Sequence, residues 1–169
     1  HRALHGIQCA EKRGRQDMRQ YETSHLIKSE DLNHHGTLFA ARAAAWFVEA
    51  AFVAAGCACN TSAGIVCRNL HNLSFQKPVQ KGAILRLQAR VAAVGQSSFM
   101  VVVRGTDALT EELYVEGAVT FVTIDSETGS RRPHQIVLDE AEDEQETEQR
   151  MRANQLKEQA MGKPMHMKK

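Results

Sequence analysis

The chain has 169 residues, 43% of them hydrophobic, with 21 basic and 20 acidic side chains that leave a formal net charge of +1. That length suits one domain with a real core, and the near-neutral balance excludes nucleic-acid binding by a global basic field. The four cysteines, Cys9, Cys57, Cys59 and Cys67, lack zinc-finger spacing, so no metal is expected, and a reduced, soluble, cytoplasmic protein is the simplest expectation. No charge-free apolar run reaches the roughly 18 to 20 residues of a membrane span, and the amino end shows no signal-peptide pattern.

Residues 1–17, HRALHGIQCAEKRGRQD, have no sustained period and read as a disordered lead or a cloning remnant, with Met18 a candidate native start. The folded domain is expected over residues 18–138. YETSHLIK (Tyr21 to Lys28) alternates loosely as a first strand, and SEDLNHHG supplies turn and cap residues, with Ser29 or Asn33 able to satisfy helix-entry donors. A helix is expected from about Thr37 to about Ala55, ended by Gly56 in a left-handed cap. It is apolar on nearly all sides and therefore expected to be buried on nearly all sides. Its two charges are Arg42 and Glu49, and burying Glu49 would cost on the order of several kcal/mol unless it is neutralised, paired or facing a cavity.

Strand patterns follow over Ser62 to Phe75, Ala83 to Val94, the segment SSFMVVVRGTD after Gly95-Gln96, and Glu112 to Asp125. In the second, Leu85, Leu87, Ala89 and Val91 alternate with Ile84, Arg86, Gln88 and Arg90, as in a half-exposed strand. Short connections predict an antiparallel meander. The class is α+β, with a curved antiparallel sheet of about five strands wrapped on one long central helix. Its free edge and open back predict self-association. Residues 139–169 are charged and read as a solvated helix or tail, with a helix preferred from about Asp139 to Met161.

Three stretches, NHHGTLFAARAAAWF, FQKPVQKGAILRLQARVAAVGQSSFMVVV and GAVTFVTID, resemble the hotdog-fold acyl-CoA thioesterases in the same order. The resemblance runs from about Tyr21 to Ile136. It implies a hotdog fold, a homodimer as the minimum unit with active sites at the subunit interface, and often a trimer of dimers. It also implies hydrolysis of an acyl-CoA thioester to a free acid and coenzyme A, with coenzyme A present only as part of substrate and product and no separate cofactor. Neither nucleic acid nor membrane is an expected partner. This chain departs from relatives in carrying Ala40-Ala41 where they have Gly-Gly, and Val48 where many have a helix carboxylate. Here the carboxylate comes one residue later, at Glu49, about 100° further around the helix.

Thioester hydrolysis needs an activated water and a stabilised oxyanion. Glu49 shares a stripe with Arg42 and Trp46 and is the candidate general base or direct nucleophile; its alternative is a structural ion pair with Arg42 or a partner subunit. Asn33 either caps the helix or orients water and the substrate carbonyl. Gly36 and Thr37 would offer backbone N–H groups at the positive end of the helix as oxyanion donors. His34 and His35 read as exposed or capping residues, and His71 as an ordinary strand residue. For coenzyme A, the candidate contacts are Lys77 and Lys81 around the Pro78 turn, Arg131 and Arg132 after the last strand, and Ser97 and Ser98, in a turn that relatives place near the pantetheine arm. Two alternatives to a thioesterase remain: a non-catalytic acyl-CoA-binding regulator or scaffold, and an enoyl-CoA hydratase or dehydratase on the same fold using a histidine such as His35.

Overall fold

The computed structural model describes residues 20–162, so the expected lead at 1–17 lies outside the described residues. The elements are β1 (Tyr21–Leu26), a 3-10 turn (Ser29–Asp31), α1 (Ala40–Cys59), β2 (Ile65–Phe75), β3 (Ile84–Val94), β4 (Ser98–Asp107), β5 (Leu113–Thr123) and α2 (Glu144–Gly162). The five strands form one antiparallel sheet in the order β1-β3-β4-β5-β2. The expected meander is therefore β3-β4-β5, while β2 crosses to the far edge and pairs with β5. The segment after β2 carries the chain back, held by the Thr37–Gln80 bridge and by the Leu38 N–H donating to the Val79 carbonyl at 2.9 Å.

Alternation on β3 puts Leu85, Leu87, Ala89 and Val91 on the inner face, as its pattern predicts. There they join Val101, Val103, Val119 and Phe121 and one stripe of α1, namely Ala43, Phe47, Ala50, Ala51, Ala54 and Ala55, in a single core. The alanines keep that stripe thin, which lets the helix lie close on the sheet. Gly117 of β5 completes the fit, because a Cβ there would stand 3.0 Å from Phe47 Cζ and from Leu73 Cα. Phe47, fully buried, is the largest α1 anchor, and truncating such a residue costs about 3–5 kcal/mol.

Both ends of α1 differ from expectation. Residues 37 to 39 remain extended because Thr37 and Leu38 are bonded to Gln80 and Val79, so the helix begins at Ala40. Gly56 lies inside the helix; the left-handed cap is Asn60 at φ 63°, whose N–H reaches the Cys57 and Gly56 carbonyls. Asparagine tolerates that conformation better than most side chains. Nor is α1 buried all round: Ala41, Arg42, Ala45, Glu49 and Phe52 are exposed in the protomer. By length and composition it would suit a membrane span, but the alanine stripe seated on the sheet accounts for that composition as a core helix.

The outer face of β3 and β4 is covered by α2. Ala153 is fully buried there against a cluster that includes Ala92, Ala93, Met100 and Ala118. Thus β3 is not half-exposed along its length, and Arg90 is buried under α2. The charged carboxyl segment does form a helix, beginning at Glu144 instead of Asp139, and one of its faces is docked. Cys59 and Cys67 carry free thiols.

Candidate active site

The polar loop before α1 is organised by Asn33. Its Oδ1 accepts the N–H of His35 at 2.8 Å and of Thr37 at 3.2 Å, and its Nδ2 donates to Thr37 Oγ1 at 3.3 Å. The Gly36 N–H donates to the Asn33 carbonyl at 3.1 Å, and Gly36 sits at φ +83°, where L side chains are strained. The N–H groups of Gly36 and Thr37 are thus spent inside the loop, several residues before the helix begins. Among the described residues, no hydrogen bond engages the N–H groups of Ala40 and Ala41. These are the orphan donors at the positive end of α1. His34 and His35 are exposed, their rings 3.9 Å apart.

Further along α1, adjacent side chains take different surroundings. Val48 is half-buried and packs against the core, while Glu49 projects from the open side. Arg42 does not pair with Glu49: its Nε lies 3.4 Å from Asp31 Oδ1 and its Nη2 donates to the Glu30 carbonyl at 3.3 Å. Asp31 is buried, and it also accepts the Lys28 N–H at 2.9 Å. Trp46 stacks on His25 of β1, ring centroids 4.0 Å apart and nearly parallel at 8°. Burial holds the His25 imidazole below its ordinary value, opposed by Glu49 and Asp31 and assisted by Lys28. Sequence reasoning did not single out His25. The loose alternation of YETSHLIK contains the signal, because it puts Tyr21, Thr23 and His25 on the face toward α1.

The candidate coenzyme A contacts divide between two ends of the protomer. Near the start of α1, a recess of about 330 Å³ is lined by Thr37, Ala40, Phe75, Lys77, Val79 and Tyr114 among others. Lys77 on its lip pairs with Glu112, and Lys81 is exposed on the turn before Gly82. Near the end of α1, Arg131 Nη1 donates to Ser97 Oγ at 2.9 Å. Arg132 acts electrostatically on Cys59, whose thiol is nonetheless pushed up by burial. Ser98 begins β4 and is half-buried. The protomer brings together Asn33, Gly36, Thr37 and Lys77 at one end and Ser97, Ser98, Arg131 and Arg132 at the other, with Glu49 between them along α1.

A long helix seated on a five-stranded antiparallel sheet of this order, with a polar entry loop and a carboxylate on its open side, is the hotdog arrangement of thioesterases. The thioesterase superfamily profile matches residues 35–123, from the loop to the end of β5, and the chain belongs to that superfamily. Among solved structures it is similar to an acyl-CoA hydrolase from Staphylococcus aureus bound to butyryl coenzyme A, coenzyme A and coenzyme A disulfide. The two are 28% identical over 88% of each chain, with a TM-score of 0.78. An apo hexameric acyl-CoA thioesterase is 29% identical over 82% of this chain and 88% of its own, TM-score 0.72. An acyl-CoA hydrolase from Bacillus cereus shares the fold at 21% identity, over 90% of this chain and 92% of its own, TM-score 0.76. No curated protein shows a significant match to the chain.

Proposed function

We propose that the protein hydrolyses acyl-CoA thioesters to a free carboxylic acid and coenzyme A at a site built by two copies of the chain. The observation that carries this reading is the superfamily match over residues 35–123, which spans Gly36, Thr37, Glu49, Ser97 and Ser98. The 28% identity to an acyl-CoA hydrolase over 88% of the chain supports the substrate class. The need for two copies follows from length: at about 1.5 Å per residue, Glu49 lies about 13 Å beyond Ala40 along the axis, too far for both to touch one carbonyl. A two-fold partner reverses the helix direction. It sets Glu49 of one copy against the Asn33 loop and first helical turn of the other.

In this site the Glu49 carboxylate takes a proton from water as the oxygen adds to the thioester carbonyl. The oxyanion develops against the N–H groups of Ala40 and Ala41, the donors that the Asn33–Thr37 loop leaves open. Collapse breaks the C–S bond, and the coenzyme A thiolate leaves with the proton returned by Glu49. Asn33 holds the loop and faces the carbonyl. Ser97, Arg131, Arg132, Lys77 and Lys81 supply hydrogen bonds and positive charge for the pantetheine arm and phosphates.

A panel of acyl-CoA substrates with a thiol-reactive dye tests the reading. Glu49→Gln is expected to lower kcat by roughly 10² to 10⁴, the usual contribution of a general base; a loss of only a few-fold would sink the assignment. One observation favours a second reading, an acyl-CoA binder without turnover: Val48, where many relatives carry a carboxylate, is turned into the core. Calorimetric binding of acyl-CoA with no thiol release would select it.

A further inference from the structure

We propose that Asp31 and Arg42 are positioning residues: together they hold the first turn of α1 against the Asn33 loop, so that the N–H groups of Ala40 and Ala41 address the substrate carbonyl. This rests on the reading of that turn as the oxyanion site. Asp31 is 2% exposed, and a carboxylate is kept in such a place only where partners offset its lost hydration. Its Oδ1 lies 3.4 Å from Arg42 Nε; its Oδ2 accepts the Lys28 N–H at 2.9 Å and lies 3.8 Å from Lys28 Nζ. The helix itself has no side-chain cap at Phe39 and no acid in its first turn. That turn carries Arg42 instead, a cation at the positive end of a helix, where the dipole disfavours it. Asp31 removes the conflict from beside the helix and leaves its donors open.

The contacts close a ring. The Phe39 N–H donates to the Asp31 carbonyl at 2.9 Å, and the Phe39 carbonyl accepts the N–H groups of Arg42 at 3.0 Å and Ala43 at 3.1 Å. The Arg42 side chain then returns to the Asp31 carboxylate and, through Nη2, to the Glu30 carbonyl at 3.3 Å. Ala40 and Ala41 are the two residues of the chain between Phe39 and Arg42, so both belong to this ring. From its base, the Leu32–Leu38 bridge and the Asn33 N–H donating to the Thr37 carbonyl at 2.7 Å carry the same two chain segments out to the loop. One backbone bond alone would let the first turn pivot about Phe39. The second attachment, through Arg42, fixes its rotation relative to Asn33. Misplacing reacting groups by about 1 Å can lower a rate by about 10²-fold, so the pair acts on turnover through the donors it aims.

Steady-state hydrolysis of acyl-CoA by the full chain tests the pair, at temperatures where melts show each variant folded. Arg42→Gln removes the guanidinium at an exposed position. It is expected to lower kcat by roughly 10- to 10²-fold and to leave KM within about twofold, the pattern of a contact that matters only in the transition state. Arg42→Lys, whose single ammonium reaches Asp31 or the Glu30 carbonyl but not both, recovers part of the rate. Because the two residues act as one, adding Asp31→Asn to Arg42→Gln lowers kcat no further than the worse single variant. An unchanged kcat in Arg42→Gln, a change in KM alone, or fully additive losses in the double variant overturns the proposal. Amide hydrogen exchange reads the ring without turnover: Arg42→Gln speeds exchange at the Phe39 N–H, while Val101, fully buried in the central strand, keeps its protection. Unchanged exchange at Phe39 also overturns the proposal. Faster exchange there, in a protein that releases no thiol from any acyl-CoA, overturns the proposed hydrolysis while the Asp31–Arg42 clamp itself stands.

Discussion

Asn33 shows how one amide can set a site it does not obviously cap. The sequence marks it and Gly36 as special through their spacing ahead of an apolar helix. It does not reveal that their loop spends its own N–H groups, because that depends on Thr37 bridging to the distant Gln80. Removing the amide in Asn33→Ala breaks three side-chain hydrogen bonds, each worth about 0.5–1.5 kcal/mol net. Urea denaturation is expected to show a loss of about 1–3 kcal/mol, and less for Asn33→Asp, which keeps the acceptor. If Asn33→Ala leaves stability and hydrolysis unchanged, the loop does not need it.

Two histidines give the fold a pH dependence whose sign is fixed by burial. His25 and His71 are both held below their ordinary values, chiefly by desolvation; His71 also meets Thr120 Oγ1 at 2.7 Å. The unfolded chain therefore binds these protons at higher pH than the native state does. Stability is complete above about pH 6.5, the ordinary histidine value, and falls as pH drops through the lower folded values. Thermal melts across pH 8 to 5 check this, and His71→Asn should flatten part of the decline. A melting temperature that rises on acidification through this window would contradict it.

Among the elements, α2 departs most from a reading based on composition. Its charged sequence reads as solvated, and most of it is. Yet Glu146 is buried with Arg150 Nη2 at 2.9 Å and Arg90 Nη1 at 3.8 Å, and Gln149 Oε1 accepts from Arg90 Nε at 2.8 Å. The partners lie on β3 and α2, far apart in sequence, which is why local periodicity could not reveal the docking. The inner alternation of β3, by contrast, is legible because Leu85, Leu87, Ala89 and Val91 recur at every second position on the core face. Removing one partner of a buried charge pair strands the other, so Glu146→Ala should cost about 3–5 kcal/mol, measured by urea titration. Truncation after Val137 exposes Ala92, Ala93 and Met100, so lower solubility is expected. Any protein that stays folded should still hydrolyse substrate, since α2 lies on the sheet face opposite α1.

At the scale of the whole molecule, the sequence carried the layered architecture and the resemblance to thioesterases. It could not show which surfaces one protomer leaves uncovered. The β2 edge does so most clearly: its outer side has no strand partner among the described residues. On the α1 side of that edge, Leu70 and Phe75 are each 48% exposed, and Phe52 of α1 packs edge-on against Phe121 of the neighbouring β5. Edge backbone groups and apolar side chains of this kind favour pairing with another copy. The same pairing would bring Glu49 to the Asn33 loop of a partner, so assembly and catalysis should fail together. Leu70→Lys puts a charge on that surface without touching the core. It is expected to shift the protein to monomer in analytical ultracentrifugation and to abolish thiol release in the same samples. A folded monomer that hydrolyses acyl-CoA at the wild-type rate would show that one copy holds the whole site, and the two-copy arrangement of Glu49 and the helix N-terminus would have to be given up.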